Sequence, residues 1–351
     1  MNFNLFRFAM SRFSFLNLSK MSTNILFKNL IENKKKIFIQ NNLLSRRHVI
    51  CCDALFITYS VSLFGLFKSV DEDETPENKL ITTIKRSILC IQREQYDRAE
   101  QMLHLALKMS QDLQSKEGIT YVYDIMANLA MEREQFKKAE KLFAEVMRRL
   151  LGDGLPDNNP KVKQILHISS KLAHIAQLQG DIEKAKTGFI WTLGKIEECK
   201  NNMPDDIDVK ELWALTTNWF GQLLMKENKF KQAKQCFEDA YDCFIKIHGA
   251  CNEEAVTILN NLSVVCTSMG HFGEARRYIL KALDLVKSIK DTSQEGVLLA
   301  NLGLIYLREG LINEAKTYCS QAWKTGKTQQ NDAAIEQAEY CLNEIKTYTS
   351  K

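Results

Sequence analysis

Residues 255–322 read AVTILNNLSVVCTSMGHFGEARRYILKALDLVKSIKDTSQEGVLLANLGLIYLREGLINEAKTYCSQA, and within them one pattern is stated twice. Leu259, Leu262, Ser263, Cys266, Gly270, Phe272, Ala275, Ile279 and Ala282 are answered 40 residues later by Leu299, Leu302, Gly303, Tyr306, Gly310, Ile312, Ala315, Cys319 and Ala322. Residues three and four apart share one face of a helix. Each copy therefore predicts a helix, a turn at glycine and a second helix, with small residues where the pair approaches closely.

Aligned on the key alanine, the template fits six times, at Ala99, Ala139, Ala185, Ala233, Ala275 and Ala315, separated by 40, 46, 48, 42 and 40 residues. Gly221 and Gly303 fill the small slot of the first helix, and Tyr306 fills the aromatic one. The first copy, with Ser87, Cys90, Tyr96 and Leu103, is the weakest, as a terminal unit tends to be. The pattern resembles the tetratricopeptide repeat. Its longer period and the run Asn260-Asn261-Leu262 are similar to the kinesin light chain family. That resemblance implies an all-α fold, a right-handed α-solenoid of about six helix pairs. The repeats fall at about 80–113, 119–152, 162–200, 211–248, 255–289 and 295–328, with a capping helix at 331–347, in a domain of 80–349. Turn-rich stretches at 151–160 and 201–208, each holding proline, account for the two longest separations.

Charge divides the chain unevenly. Residues 1–53 hold nine Lys and Arg against two acids, whereas the rest is slightly acidic, which gives no case for nucleic acid. The first 31 residues contain no Asp or Glu, and Phe3, Phe6, Met10 and Phe13 recur at helical spacing among basic and serine residues. That is the character of a mitochondrial presequence, placed at 1–48. Residues 49–67 are apolar apart from Asp53 and a few hydroxyls, just short of the roughly 20 residues a span requires. They predict inner-membrane association, with the basic flank Arg46-Arg47 in the matrix and the repeats toward the intermembrane space. An acidic linker follows at 68–79.

Little points to catalysis. The ten cysteines form no C-x-x-C pair and read as thiols of a reduced protein, Cys266 and Cys319 acting as small hydrophobes. His167 and His174 read as surface polar residues, and nothing calls for a metal, a cofactor or an enzyme. What a repeat stack offers is a groove lined by its first helices. Asn128, Asn218, Asn261 and Asn301 fall at or beside groove positions. Their amides suit an extended peptide backbone, or alternatively a bridge between adjacent helices. The slots that other such grooves use to clamp a C-terminal carboxylate hold Asp124, Asn218, Asn260 and Ala300, which argues against that mode.

The layout, the segment Thr120-Tyr121-Val122-Tyr123-Asp124-Ile125-Met126-Ala127-Asn128-Leu129-Ala130 and the stretch Leu150-Leu151-Gly152-Asp153-Gly154 resemble the mitochondrial tetratricopeptide repeat protein 19 family. The resemblance implies a non-enzymatic inner-membrane factor for assembly and upkeep of respiratory complex III. Its partners would be complex III subunits, including the Rieske iron–sulfur protein or the fragments of it that the factor helps to clear. The competing readings are a cytosolic cargo or motor adapter of the kinesin light chain kind and a peptidase cofactor.

Overall fold

The computed structural model describes residues 75–152, 161–249, 252–289 and 294–349. These residues form thirteen α-helices and no strand, the all-α class that the periodicity predicts. The pairs are α1 (Pro76–Gln92) with α2 (Tyr96–Asp112), α3 (Lys116–Glu132) with α4 (Phe136–Leu151) and α5 (Val162–Gln179) with α6 (Ile182–Asn202). They continue with α7 (Ile207–Lys226) and α8 (Phe230–His248), α9 (Glu253–Ser268) and α10 (Phe272–Ile289), and α11 (Glu295–Glu309) and α12 (Ile312–Gln329), before the cap α13 (Asp332–Thr349). The expected presequence and the apolar segment 49–67 lie outside the described residues. No helix among the described residues is long and apolar enough to cross a membrane.

Two expected boundaries move. Pro76 to Lys79, placed in the linker by sequence, open α1 instead. Thr75 caps that helix by accepting from the Asn78 N–H at 3.3 Å, and Pro76 sits in the first turn, where a missing N–H costs nothing. The expected loop at 201–208 is only 203–206, because α6 runs on to Asn202 and Asp206 already caps α7. The extra length of that repeat lies in helices of 21 and 20 residues rather than in a loop.

Each turn inside a pair is built the same way. The residue five before the key alanine has positive φ in all six repeats: Glu94, Glu134, Gly180, Asn228, Gly270 and Gly310. The following N–H then bonds the carbonyl five residues back, as from Gln135 to Ala130 and from Leu311 to Tyr306, closing the helix C-terminus. Three repeats thus hold a left-handed turn without the glycine that favours it. The six key alanines are completely buried. One turn beyond them Leu103, Phe143, Phe189, Phe237 and Ile279 are buried as fully, and each second helix presents this one stripe.

The residues divide into two compact units, one ending at Ile175 and one beginning at Ala176, with the division inside α5. In the first, α1 to α4 pack in chain order. In the second, α6 to α13 do the same, and the first helices α7, α9, α11 and α13 also touch in succession. Cys319, expected to be a thiol in a reduced protein, is instead joined to Cys341 of α13 by a disulfide, with Cα atoms 6.1 Å apart. Their partnership depends on how the cap folds back, which spacing does not disclose.

Candidate functional site

Amides run through the second unit from helix to helix. Asn261 Nδ2 donates to Asn218 Oδ1 at 3.1 Å, joining α9 to α7. Asn301 Nδ2 donates to Asn260 Oδ1 at 2.7 Å, joining α11 to α9, and Gln337 of the cap donates to Asn301 Oδ1. Asn218, Asn261 and Asn301 are each at most 2% exposed, so these hydrogen bonds are sheltered from water and hold neighbouring first helices at a set spacing.

Asn128 sits apart from this ladder, in the first unit. Its Nδ2 donates to the Asp124 carbonyl at 2.7 Å, and its Oδ1 accepts from Lys171 Nζ at 2.7 Å. Lys171 is buried, with its ammonium 5.1 Å from the centre of the Phe143 ring, and burial pushes its pKa down to about 8. The sequence carries a cue to this lysine: it takes the repeat slot that Asn261 and Asn301 fill later. His174, expected at the surface, is buried and His167 is half-buried, because the face of α5 they share turns inward. In the second unit, burial likewise pushes Lys226 down to about 8 while its Nζ donates to the Gln177 carbonyl at 3.0 Å.

Ion pairs recur between repeats. The residue after the key alanine pairs with the end of the next repeat's first helix or with the residue before that repeat's alanine. Glu100 takes Arg133 at 2.6 Å and also Lys138. Lys186 takes Glu227 at 3.0 Å, Lys234 takes Glu274, and Arg276 takes Glu309. The sign is inverted in the first repeat alone of these four.

The signature residues have packing roles. A Cβ on Gly221 would lie 2.7 Å from Cε1 of Phe237, and one on Gly303 would collide with Cys319. Tyr306 stacks on Tyr318 with centroids 5.3 Å apart, and the Arg276 guanidinium lies over the Tyr306 ring, 5.6 Å from its centroid. Among the described residues no three His, Cys, Asp or Glu side chains converge on a metal-sized space. Burial pushes the Cys236 and Cys266 thiols up to about 11 and about 12, opposite to what a nucleophile needs. The arrangement presents spaced helices and surfaces, which suit binding.

Comparison with known proteins agrees with this architecture. Two family models described as tetratricopeptide repeat match residues 213–288 and 298–324. The chain is 59% identical over 294 residues to the mitochondrial tetratricopeptide repeat protein 19 homolog of Drosophila melanogaster, covering 84% of this chain and 78% of that one. It is 28% identical over 284 residues to mitochondrial tetratricopeptide repeat protein 19 of Rattus norvegicus, covering 78% and 77%. Among solved structures, the apo form of the quorum sensor NprR from B. thuringiensis superposes with a TM-score of 0.57 at 16% identity, covering 83% of each chain. The tetratricopeptide repeat sensor protein of Pyrococcus horikoshii superposes at 0.56 and 16%, covering 79% of this chain and 44% of that one. At such identities these two likenesses speak for the fold alone.

Proposed function

The chain belongs to the mitochondrial tetratricopeptide repeat protein 19 family, and from that membership we propose that it is a non-enzymatic adapter for respiratory complex III at the inner membrane. In this reading the repeats face the intermembrane space. They bind complex III and ease the removal of Rieske iron–sulfur subunit fragments, while residues 49–67 associate with the membrane. The observation that carries the reading is the 59% identity across 84% of the chain, which spans the segment Thr120–Ala130 on which the resemblance first rested.

The physical side of the proposal is simple. A stack of helix pairs offers an extended surface without catalytic groups, and such surfaces recognise protein segments. Asn218, Asn261 and Asn301 serve it by fixing the spacing of the groove-lining helices, and Asn128 does the same beside Lys171. Native gel electrophoresis of mitochondria, probed for this protein, tests the assignment. Co-migration with complex III, and a complex III defect on its loss, are expected. Its absence from that band together with normal complex III on its loss would remove the proposal.

A further inference from the structure

The slot one turn beyond the key alanine holds Leu103, Phe143, Phe189, Phe237 and Ile279 in the first five repeats, all completely buried. In the sixth it holds Cys319, and the space is shared with the sulfur of Cys341 from the cap. The surroundings are cut to admit that pair. Gly303 keeps clear the position where a Cβ would meet Cys319 Sγ, and Ala334 packs where a Cβ on Gly296 would lie, 2.7 Å away. Ala333, Ala334 and Ala338 are completely buried and let α13 lie close. The resulting Cα separation of 6.1 Å falls in the range that disulfides span. By contrast Cys90 and Cys266, also buried, remain thiols.

We propose that Cys319 and Cys341 are the substrate of a thiol–disulfide oxidoreductase, and that the bond they form clasps the capping helix onto the last repeat. Both cysteines are completely buried once α13 docks, so exchange begins before docking is complete. One thiolate attacks the enzyme's disulfide, forming a mixed disulfide and releasing the enzyme's first thiol. Docking then brings up the second thiolate, which displaces the enzyme's other thiol. Two electrons and two protons end on the enzyme's dithiol. Because disulfides persist where the redox surroundings are oxidising, the folded repeats reside in such a compartment. This inference stands on the cysteines and does not depend on the complex III assignment.

The test counts thiols of the full chain in intact mitochondria. The sample is quenched in acid, denatured, blocked with N-ethylmaleimide, reduced, and tagged with a polyethylene glycol maleimide. A gain of two tags on reduction is expected in the wild type, and its loss in the double variant Cys319→Ser/Cys341→Ser. No gain in the wild type, or a gain that persists unchanged in the double variant, would overturn the assignment. The purified full chain should also melt about 5–10 °C lower in reductant, with no such shift in the double variant. A wild-type Tm indifferent to reductant would overturn the clasp.

Discussion

Lys171 occupies in the third repeat the slot of Asn261 and Asn301, and it brings a charge where they bring an amide. Its folded pKa of about 8 lies below the ordinary 10.5, so the neutral form is favoured in the fold. Between those two values the unfolded chain binds more protons, and stability therefore rises with pH across that window. The buried charge costs on the order of 3 kcal/mol below pH 8, and the cost is relieved above pH 10.5. In Lys171→Met, urea midpoints measured from pH 7.5 to 10 should show a smaller rise than the wild type. Some rise should remain, since Lys226 is shifted the same way. An unaltered slope would mean that Lys171 does not carry the effect. Backbone conformation gives a second residue-scale expectation. Glu134 holds φ 56° in a turn where Gly180, Gly270 and Gly310 stand in other repeats. Glu134→Gly should stabilise the fold by about 0.5–1 kcal/mol in chemical denaturation, the left-handed penalty outweighing the added chain entropy.

At the scale of elements, a buried alanine stripe lines each second helix, and an ion pair near the turn joins the first repeat to the second and, in the second unit, the third, fourth and fifth each to the next. The stripe supplies most of the energy, and the pair helps to set register. Glu100 shows the difference, because its partners Arg133 and Lys138 belong to the next repeat. The Lys138 hydrogen bond holds its carboxyl below the usual range, despite the opposing effect of burial. The stability it adds is present above the unfolded carboxyl value and is lost as pH falls through the folded one. Glu100→Lys sets three cations together and should cost about 1 kcal/mol in dilute buffer, less at 1 M salt. A cost independent of salt would point to packing rather than charge. The shortened loop at 203–206 belongs to this scale as well: α6 runs on to Asn202, beyond its last buried residue Ile196, and Asp206 caps α7 directly after the proline turn.

At the largest scale, a repeat of this kind hides its apolar side on a neighbouring repeat, so the end of the second unit needs a cover. The cap supplies it through Ala333, Ala334, Ala338 and Ile345, through Gln337 on Asn301, and through the bond to Cys319. A chain ending at Gln330 should remain helical by circular dichroism, melt several degrees lower and bind a hydrophobic dye. A Tm equal to that of the full chain would show the last repeat to be self-sufficient. The adapter role proposed above would draw on the same stacking, which leaves helix faces available to a protein segment.

Much of this was legible in the residues themselves. Six alanines at one template, the glycine turns and the apolar stripes dictate helix pairs, because helical spacing and close approach are local consequences of side-chain size. The two glycines at 221 and 303 announced tight contacts that the structure contains. The segment Thr120–Ala130 announced the family. What only tertiary structure decided was which polar groups meet: Asn218 with Asn261, Asn128 with Lys171, Glu100 with Arg133, and above all Cys319 with Cys341. Most of these partners lie more than thirty residues apart, and even the cysteines, 22 apart, meet only when α13 folds back. Periodicity tells which face a residue occupies, but the rotation between packed helices chooses the atom that each face presents to the next.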